Sequence, residues 1–226
     1  MTGVLHIAKA GYLSGLNNLE VHSLLEPASP YSTDIGVVHD EAIEALTYEG
    51  LKGNIDAVEK YYNGYAVGTD PEQRLFNSWS LINYLKRKIL KPYWVESGST
   101  YLLEEQLMRA NKEVHLQMEE LLVNGKEICV PIAEDVNFAS LNYGYDQIWS
   151  LLFFSGYITG RKVDRKRAMV VVPNEEIRDD LNNMYNRILQ RLMPKMDTKS
   201  YIASLILGDV KHFEDGLKQA AINTFR

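Results

Sequence analysis

The chain has 226 residues, of which 46% are hydrophobic and 24% charged, a composition typical of one large globular domain or two small ones. Its formal net charge of −6 argues against a surface built throughout for nucleic acid, although a local basic patch is compatible with it. The single cysteine, Cys129, excludes an internal disulfide and indicates a reducing compartment. Because Cys129 lies in an apolar run, it is predicted to be a small core residue. No apolar stretch reaches the roughly 20 residues of a membrane span, and no signal sequence begins the chain, so we expect a soluble, cytoplasmic protein without a membrane partner.

The first segment has the pattern of a buried strand. Val4, Leu5, Ile7 and Ala8 are apolar on consecutive positions, as in a strand covered on both faces. Only three residues precede this segment, so it lacks the neighbours that such a strand needs. The pattern therefore predicts that the chain starts inside a larger fold. A second short strand is predicted at residues 19–25.

Three helices are predicted next. Asp40 is the expected N-cap of the first and Asn54 of the second, which Gly64 ends. The third starts at Asn77 or Ser78, and its apolar stripe is predicted to consist of Leu81, Ile82, Leu85 and Ile89. We interpret the aromatic residues near these helices as packing residues, and Trp79 is expected to be largely buried.

The second half alternates short strands with helices. Residues 92–95 are predicted to be extended, residues 100–110 and 113–122 helical, and residues 127–132 a strand. A helix over residues 146–154 ends before Gly156, and strands at residues 157–163 and 168–172 then form a hairpin. Helices are predicted at residues 175–192, 199–207 and 209–226. The expected fold class is α+β and helix-rich.

The common catalytic motifs are missing from the sequence. It contains no Gly-x-x-x-x-Gly-Lys-[Ser/Thr] loop and no His-Glu-x-x-His, and its five histidines do not have metal-ligand spacing. Acidic pairs lie on predicted helices and are expected to form solvated faces: Glu104-Glu105, Glu119-Glu120 and Asp179-Asp180. No catalytic residue and no metal ligand is therefore predicted.

Four stretches together resemble one known family. They are TGVLHIAKAGYLSGLNNL, YYNGYAVG with FNSWSLINYL, KPYWVESGS, and IWSLLFFSGYIT with MVVVPNEEIR. They resemble the predicted AAA-ATPase-like family, P-loop ATPases that often carry a C-terminal PD-(D/E)XK nuclease-like domain. The resemblance implies that the phosphate-binding loop and the nuclease core lie outside this chain. ATP and Mg²⁺ would be cofactors of the intact family and not of this chain, whose partners would be the missing ATPase core and nuclease-like domain.

The resemblance also implies a domain organisation. Residues 1–30 would be the end of the ATPase core, 31–135 a helical lid-like region, 136–195 a winged-helix-like module and 196–226 a helical connector. Thr2 would lie at a strand tip where P-loop ATPases place a residue that senses the γ-phosphate, so it is a candidate nucleotide contact. An ordinary strand end is the alternative, since His6 stands where the family usually has arginine.

The turn of the predicted hairpin is rich in cations. Its candidate nucleic-acid-binding residues are Arg161, Lys162, Arg165, Lys166 and Arg167. A helix followed by such a hairpin has the outline of a winged helix, and a solvated turn is the alternative. The leading hypothesis for function is a non-catalytic C-terminal region of an AAA-ATPase-like protein that relays nucleotide state to an effector domain. A nucleic-acid-binding module and a protein-interaction module are the rivals.

Overall fold

A computed structural model describes residues 34–67, 72–95, 101–133 and 145–192, together with residues 209–211, 214–215 and 218. The strands predicted at residues 4–8 and 19–25, the helix at 199–207 and most of the last helix lie outside the described residues, as does Thr2. The chain divides into two compact units, residues 1–181 and 182–226. The fold is α+β and helix-rich, as the sequence predicts.

Three helices build the first core of the larger unit. They are α1 (His39–Tyr48), α2 (Ile55–Tyr62), which follows a 3-10 turn at Lys52–Asn54, and α3 (Ser78–Arg87). A short hairpin of β1 (Tyr65–Ala66) and β2 (Arg74–Leu75) connects α2 to α3. The core side chains of this part are buried: Ala42, Leu46, Val58, Tyr62, Phe76, Leu81, Tyr84 and Tyr93.

Two of the three predicted N-cap residues, Asn54 and Asn77, lie at the N-cap positions of their helices, but only Asn77 caps its helix with its side chain. Asn77 caps α3, since its side-chain oxygen accepts a hydrogen bond from the Ser80 N–H at 3.2 Å. Asp40 is not the cap of α1: the N-cap is Val38, whose N–H donates to the Glu41 carboxylate at 3.1 Å. Asn54 precedes α2, but its side chain donates to the Tyr84 hydroxyl at 2.8 Å instead of capping the helix.

The predicted stripe of α3 is wrong in part. Its buried side chains are Ser80, Leu81 and Tyr84, whereas Ile82 is 45% exposed and Trp79 is 55% exposed. Residues three apart share a helix face, so Trp79 and Ile82 lie together on the side away from the core. Ile89 lies beyond the end of the helix and is also exposed. The prediction of a largely buried Trp79 is therefore wrong, although its indole N–H donates to the Tyr93 carbonyl at 3.1 Å.

Two nearby positions on α3, Trp79 and Leu81, offer a direct test of this orientation. Trp79→Ala should lower the free energy of unfolding by only about 1 kcal/mol, because the side chain is half exposed. Leu81→Ala should cost about 2–5 kcal/mol, because Leu81 is fully buried. Urea denaturation of both variants measures the difference, and an equal loss of stability would contradict the observed orientation.

In the second half of the chain, the described residues between 101 and 192 form a three-stranded antiparallel sheet and four helices. Its helices are α4 (Tyr101–Met108), α5 (Lys112–Leu122), α6 (Tyr145–Phe154) and α7 (Glu175–Leu192). Its strands are β3 (Ile128–Pro131), β4 (Thr159–Lys162) and β5 (Arg167–Val171), in the order β3-β5-β4. The hairpin predicted after α6 is confirmed. The sheet also joins β3, in the sequence range predicted as lid-like, to two strands of the range predicted as winged-helix-like.

Strand alternation corrects the prediction for Cys129. Val130 is buried, and Ala168 opposite it is also buried. Since neighbouring residues of a strand point to opposite faces, Cys129 points outward and is exposed. The prediction of a core cysteine is therefore wrong.

Two further expectations fail for reasons of tertiary packing. Residues 93 and 94 form a turn and not an extended segment. The acidic pairs are not all solvated, because Glu104 and Asp180 are buried while Asp179 is exposed. Among the described helices, none is long and apolar enough to cross a bilayer.

Candidate functional site

A buried carboxylate lies where three segments of the chain meet. Glu176, in the first turn of α7, has no exposed surface. Its Oε1 accepts a hydrogen bond from the Trp94 backbone N–H at 2.8 Å, and its Oε2 accepts one from the Ser80 hydroxyl at 2.8 Å. One side chain thus joins the start of α7 to α3 and to the turn that contains Trp94.

Burial dominates the acid–base behaviour of Glu176. Loss of water raises the pKa of this carboxyl from 4.5 to about 7, and the neighbouring charge of Asp180 acts in the same direction. The hydrogen bonds from Trp94 and Ser80 favour the charged form and oppose this shift. Glu176 therefore changes its protonation state near neutral pH while it is enclosed in the protein.

A close backbone approach involves the residue Pro173, shortly before α7 in the sequence. Gly64 has a φ of +112°, and a β-carbon there would lie 1.9 Å from the Pro173 carbonyl oxygen. The next residue, Asn174, donates from its side-chain amide to the Asn63 carbonyl at 2.9 Å. Its side-chain oxygen also accepts from the Ile177 N–H at 3.1 Å at the start of α7. Asn174 therefore stabilises the helix end and holds it against the segment that follows α2.

Further contacts attach β1 and α7 to the residues that follow α6, up to the first residue of β4. The Tyr65 hydroxyl donates to the Gly156 carbonyl at 3.3 Å. The Ala66 N–H donates to the Thr159 hydroxyl at 2.9 Å. The Tyr157 hydroxyl donates to Asp180 at 3.0 Å, and its ring packs edge-on against Trp94. We call the set of segments held by these contacts the junction: residues 62–66, 77–80, 93–94, 156–159 and 173–180.

The junction agrees with the packing interpretation of its aromatic and turn residues. Tyr62 is fully buried, and its hydroxyl both donates to the Lys91 carbonyl and accepts from the Lys91 N–H. Gly64, which the sequence places at the end of α2, has a positive φ. The sequence analysis missed the role of Glu176 and Asp180. A signal was present: these acids are four residues apart and adjacent to Ile177 and Leu181, so they share the helix face that is buried.

All five predicted basic residues lie together on the hairpin of β4 and β5, and all are exposed. Arg161 lies 3.5 Å from the Glu127 carboxylate, and Arg167 pairs with Asp164 at 2.7 Å. Asp164 also accepts hydrogen bonds from the backbone N–H groups of Lys166 and Arg167, both at 2.9 Å. These bonds, with that from the Arg167 side chain, hold the pKa of Asp164 below its usual value.

The described residues contain no group of three or more His, Cys, Asp or Glu side chains arranged to hold a metal ion. The contacts of the junction are hydrogen bonds and packing contacts between parts of the protein. The arrangement can hold segments together and respond to protonation.

Comparison with known proteins adds one relative. The chain is 26% identical over 201 residues to a protein of Azotobacter chroococcum mcd 1 described as "Uncharacterized protein in vnfD 5'region". The match covers 86% of this chain but 35% of that protein, so the chain spans about a third of the relative's length. No protein-family model matches the chain, and no solved structure matches it.

Proposed function

We propose that the chain is the non-catalytic C-terminal region of an AAA-ATPase-like protein, in which it couples nucleotide state to an effector domain. One observation carries this proposal. Three of the four stretches that resemble the family supply the junction, although up to about 110 residues separate them in sequence. Residues that contact one another across such separations favour a role in holding regions of the protein together.

The contacts suit mechanical coupling. Ser80 and Trp94 belong to the range that the resemblance describes as lid-like, whereas Glu176 and Asp180 belong to the range described as winged-helix-like. Each hydrogen bond contributes about 0.5–1.5 kcal/mol when it is made to a neutral carboxyl group and about 1.5–3 kcal/mol when it is made to a charged one. A displacement of the lid-like helices would therefore be transmitted to α7 instead of being absorbed by a loose contact.

The finer fold assignments form part of the same proposal. Within residues 136–195, helix α6 followed by the hairpin of β4 and β5 is an order that suits a winged-helix-like module, and β3, from the range described as lid-like, would complete its sheet. Residues 1–30, with Thr2, would be the end of the ATPase core. The greater length of the Azotobacter relative is compatible with additional domains.

The gene itself tests the proposal. The reading frame upstream of the codon for Met1 is expected to encode a Gly-x-x-x-x-Gly-Lys-[Ser/Thr] loop after a strand, since that loop holds the phosphates in P-loop ATPases. An upstream region without such a frame would contradict the assignment.

The isolated chain is expected to release no phosphate from Mg-ATP. P-loop catalysis needs a cradle of backbone N–H groups, a lysine and a held Mg²⁺, and these groups are not encoded at the required spacing. Phosphate release and calorimetry with Mg-ATP measure this. Micromolar binding that Thr2→Ala abolishes would contradict the prediction.

Coupling is tested in the longer gene product that the proposal implies. Exchanging Mg-ADP for a non-hydrolysable Mg-ATP analogue should alter hydrogen exchange in α7, and Ser80→Ala should reduce this difference because it removes a hydrogen bond of the junction. The control is Thr47→Ala, which removes an exposed hydrogen bond within α1. Equal responses of the two variants would contradict coupling through the junction.

A further inference from the structure

We propose that the tip of the hairpin formed by β4 and β5 binds the phosphate groups of duplex nucleic acid through Arg165 and Lys166, without reading base sequence. This inference does not depend on the proposed coupling function, since it concerns a surface that the junction does not use.

The structure distinguishes two pairs among the five cations, and the fifth, Lys162, has an interaction of its own within the protein. Arg161 and Arg167 already face the carboxylates of Glu127 and Asp164, which offset part of their charge. Arg165 and Lys166 are exposed, and neither takes part in an ion pair within the described part of the chain. These two side chains are therefore the ones whose full charge is directed to solvent.

The turn that carries these two cations is well defined. Asp164 accepts from the N–H groups of Lys166 and Arg167, and the Val163 N–H donates to the Arg167 carbonyl at 2.9 Å. These hydrogen bonds hold the backbone on both sides of Arg165. Binding would therefore order side chains and not the loop itself, which lowers its entropic cost.

The charge is local. Residues 159–171 contain five cations and one acid, a net charge of +4, whereas the whole chain carries −6. The rest of the surface opposes the approach of a polyanion, so contact is favoured where the hairpin projects its cations. A local positive charge on an otherwise acidic protein is typical of a phosphate-binding surface, and the hairpin carries that charge.

The composition of the hairpin favours duplex over single-stranded nucleic acid. Residues 159–171 contain no aromatic side chain, so the hairpin has no platform on which unpaired bases could stack. Arginine and lysine contacts to phosphates bind a duplex without identifying its bases. The expected ligand is thus the backbone of a duplex.

Binding is measured by fluorescence anisotropy with a labelled 20-base-pair DNA duplex of mixed sequence between 50 and 200 mM salt. Two phosphate contacts predict a salt slope of about −1.8, equivalent to a roughly tenfold loss of affinity over this range. The double variant Arg165→Gln/Lys166→Gln should lose most of this slope and bind at least about tenfold more weakly at 50 mM salt. A second duplex of unrelated sequence should bind equally well.

The matched control is Lys52→Gln/Lys112→Gln, which also removes two exposed cations but lies outside the hairpin. It should change the affinity by less than about twofold if contact is local. Equal losses of affinity in the two double variants would show that binding depends only on the net charge of the protein, and would overturn the proposal. Tighter binding of a single strand or of anionic lipid vesicles than of the duplex would overturn it as well, as would no binding at 50 mM salt.

Discussion

Gly64→Ala is expected to lower the free energy of unfolding by at least about 3 kcal/mol. Two effects add. A φ of +112° is strained for any residue with a β-carbon, and that carbon would lie 1.9 Å from the Pro173 carbonyl oxygen. Because the obstacle is backbone, no rotamer change relieves it, and the segment after α2 must move away from α7. Urea denaturation monitored by circular dichroism measures the loss.

Substitutions at two other glycines allow the backbone strain and the clash with Pro173 to be measured separately. Gly50 has a φ of +70°, but a β-carbon added there would meet no atom within 4 Å, so Gly50→Ala should cost only about 1 kcal/mol, from backbone strain. Gly53 has neither a positive φ nor a close neighbour, so Gly53→Ala should change the stability by less than about 0.5 kcal/mol. If Gly64→Ala costs no more than Gly50→Ala, the close approach to Pro173 does not exist in solution.

The second large effect concerns pH. The pKa of Glu176 is raised to about 7 in the folded protein, so the folded state holds this proton more tightly than the unfolded state does. Its contribution to stability is therefore fully present below pH 4.5 and is lost as the pH rises through 7. The loss over this range is expected to reach up to about 3 kcal/mol, since one pKa unit corresponds to about 1.4 kcal/mol.

Glu176→Gln isolates this contribution. Glutamine has a similar shape and can accept the Trp94 hydrogen bond, but it does not titrate. The stability of the variant relative to the wild-type protein should therefore increase steadily from about pH 4.5 to about pH 7.5. The exposed residue Glu119 supplies the control, because Glu119→Gln should follow the wild-type pH profile. A constant difference between Glu176→Gln and the wild type across this range would contradict the prediction.

The two proposed functions predict different effects for these variants. Gly64→Ala and Glu176→Gln act on the junction and should alter the coupling that we propose. Changes at Arg165 and Lys166 should leave the stability nearly unchanged, because both side chains are exposed, and alter only phosphate binding. A variant that affects both properties would show that the hairpin and the junction are not independent.

Local chemistry determined most of the secondary structure. The hairpin follows from two β-branched segments around a charged turn, α3 follows from its Asn77 cap, and the chain reverses at Gly64 and Gly156 because glycine tolerates a positive φ. These features depend on residues close together in sequence. They could therefore be predicted without knowledge of the fold, as could the cluster of cations at the hairpin.

Only the tertiary structure decided which side chains are enclosed. Trp79 and Leu81 are both apolar residues of one helix, and the position of α1 and α2 determines that Leu81 is buried while Trp79 is not. Likewise, acids on a helix are ordinarily solvated, but Glu176 and Asp180 are buried because Ser80, Trp94 and Tyr157 supply donors from distant segments. Burial of a polar group is favourable only when such partners are present, and the partners are brought together by the fold and not by the local sequence.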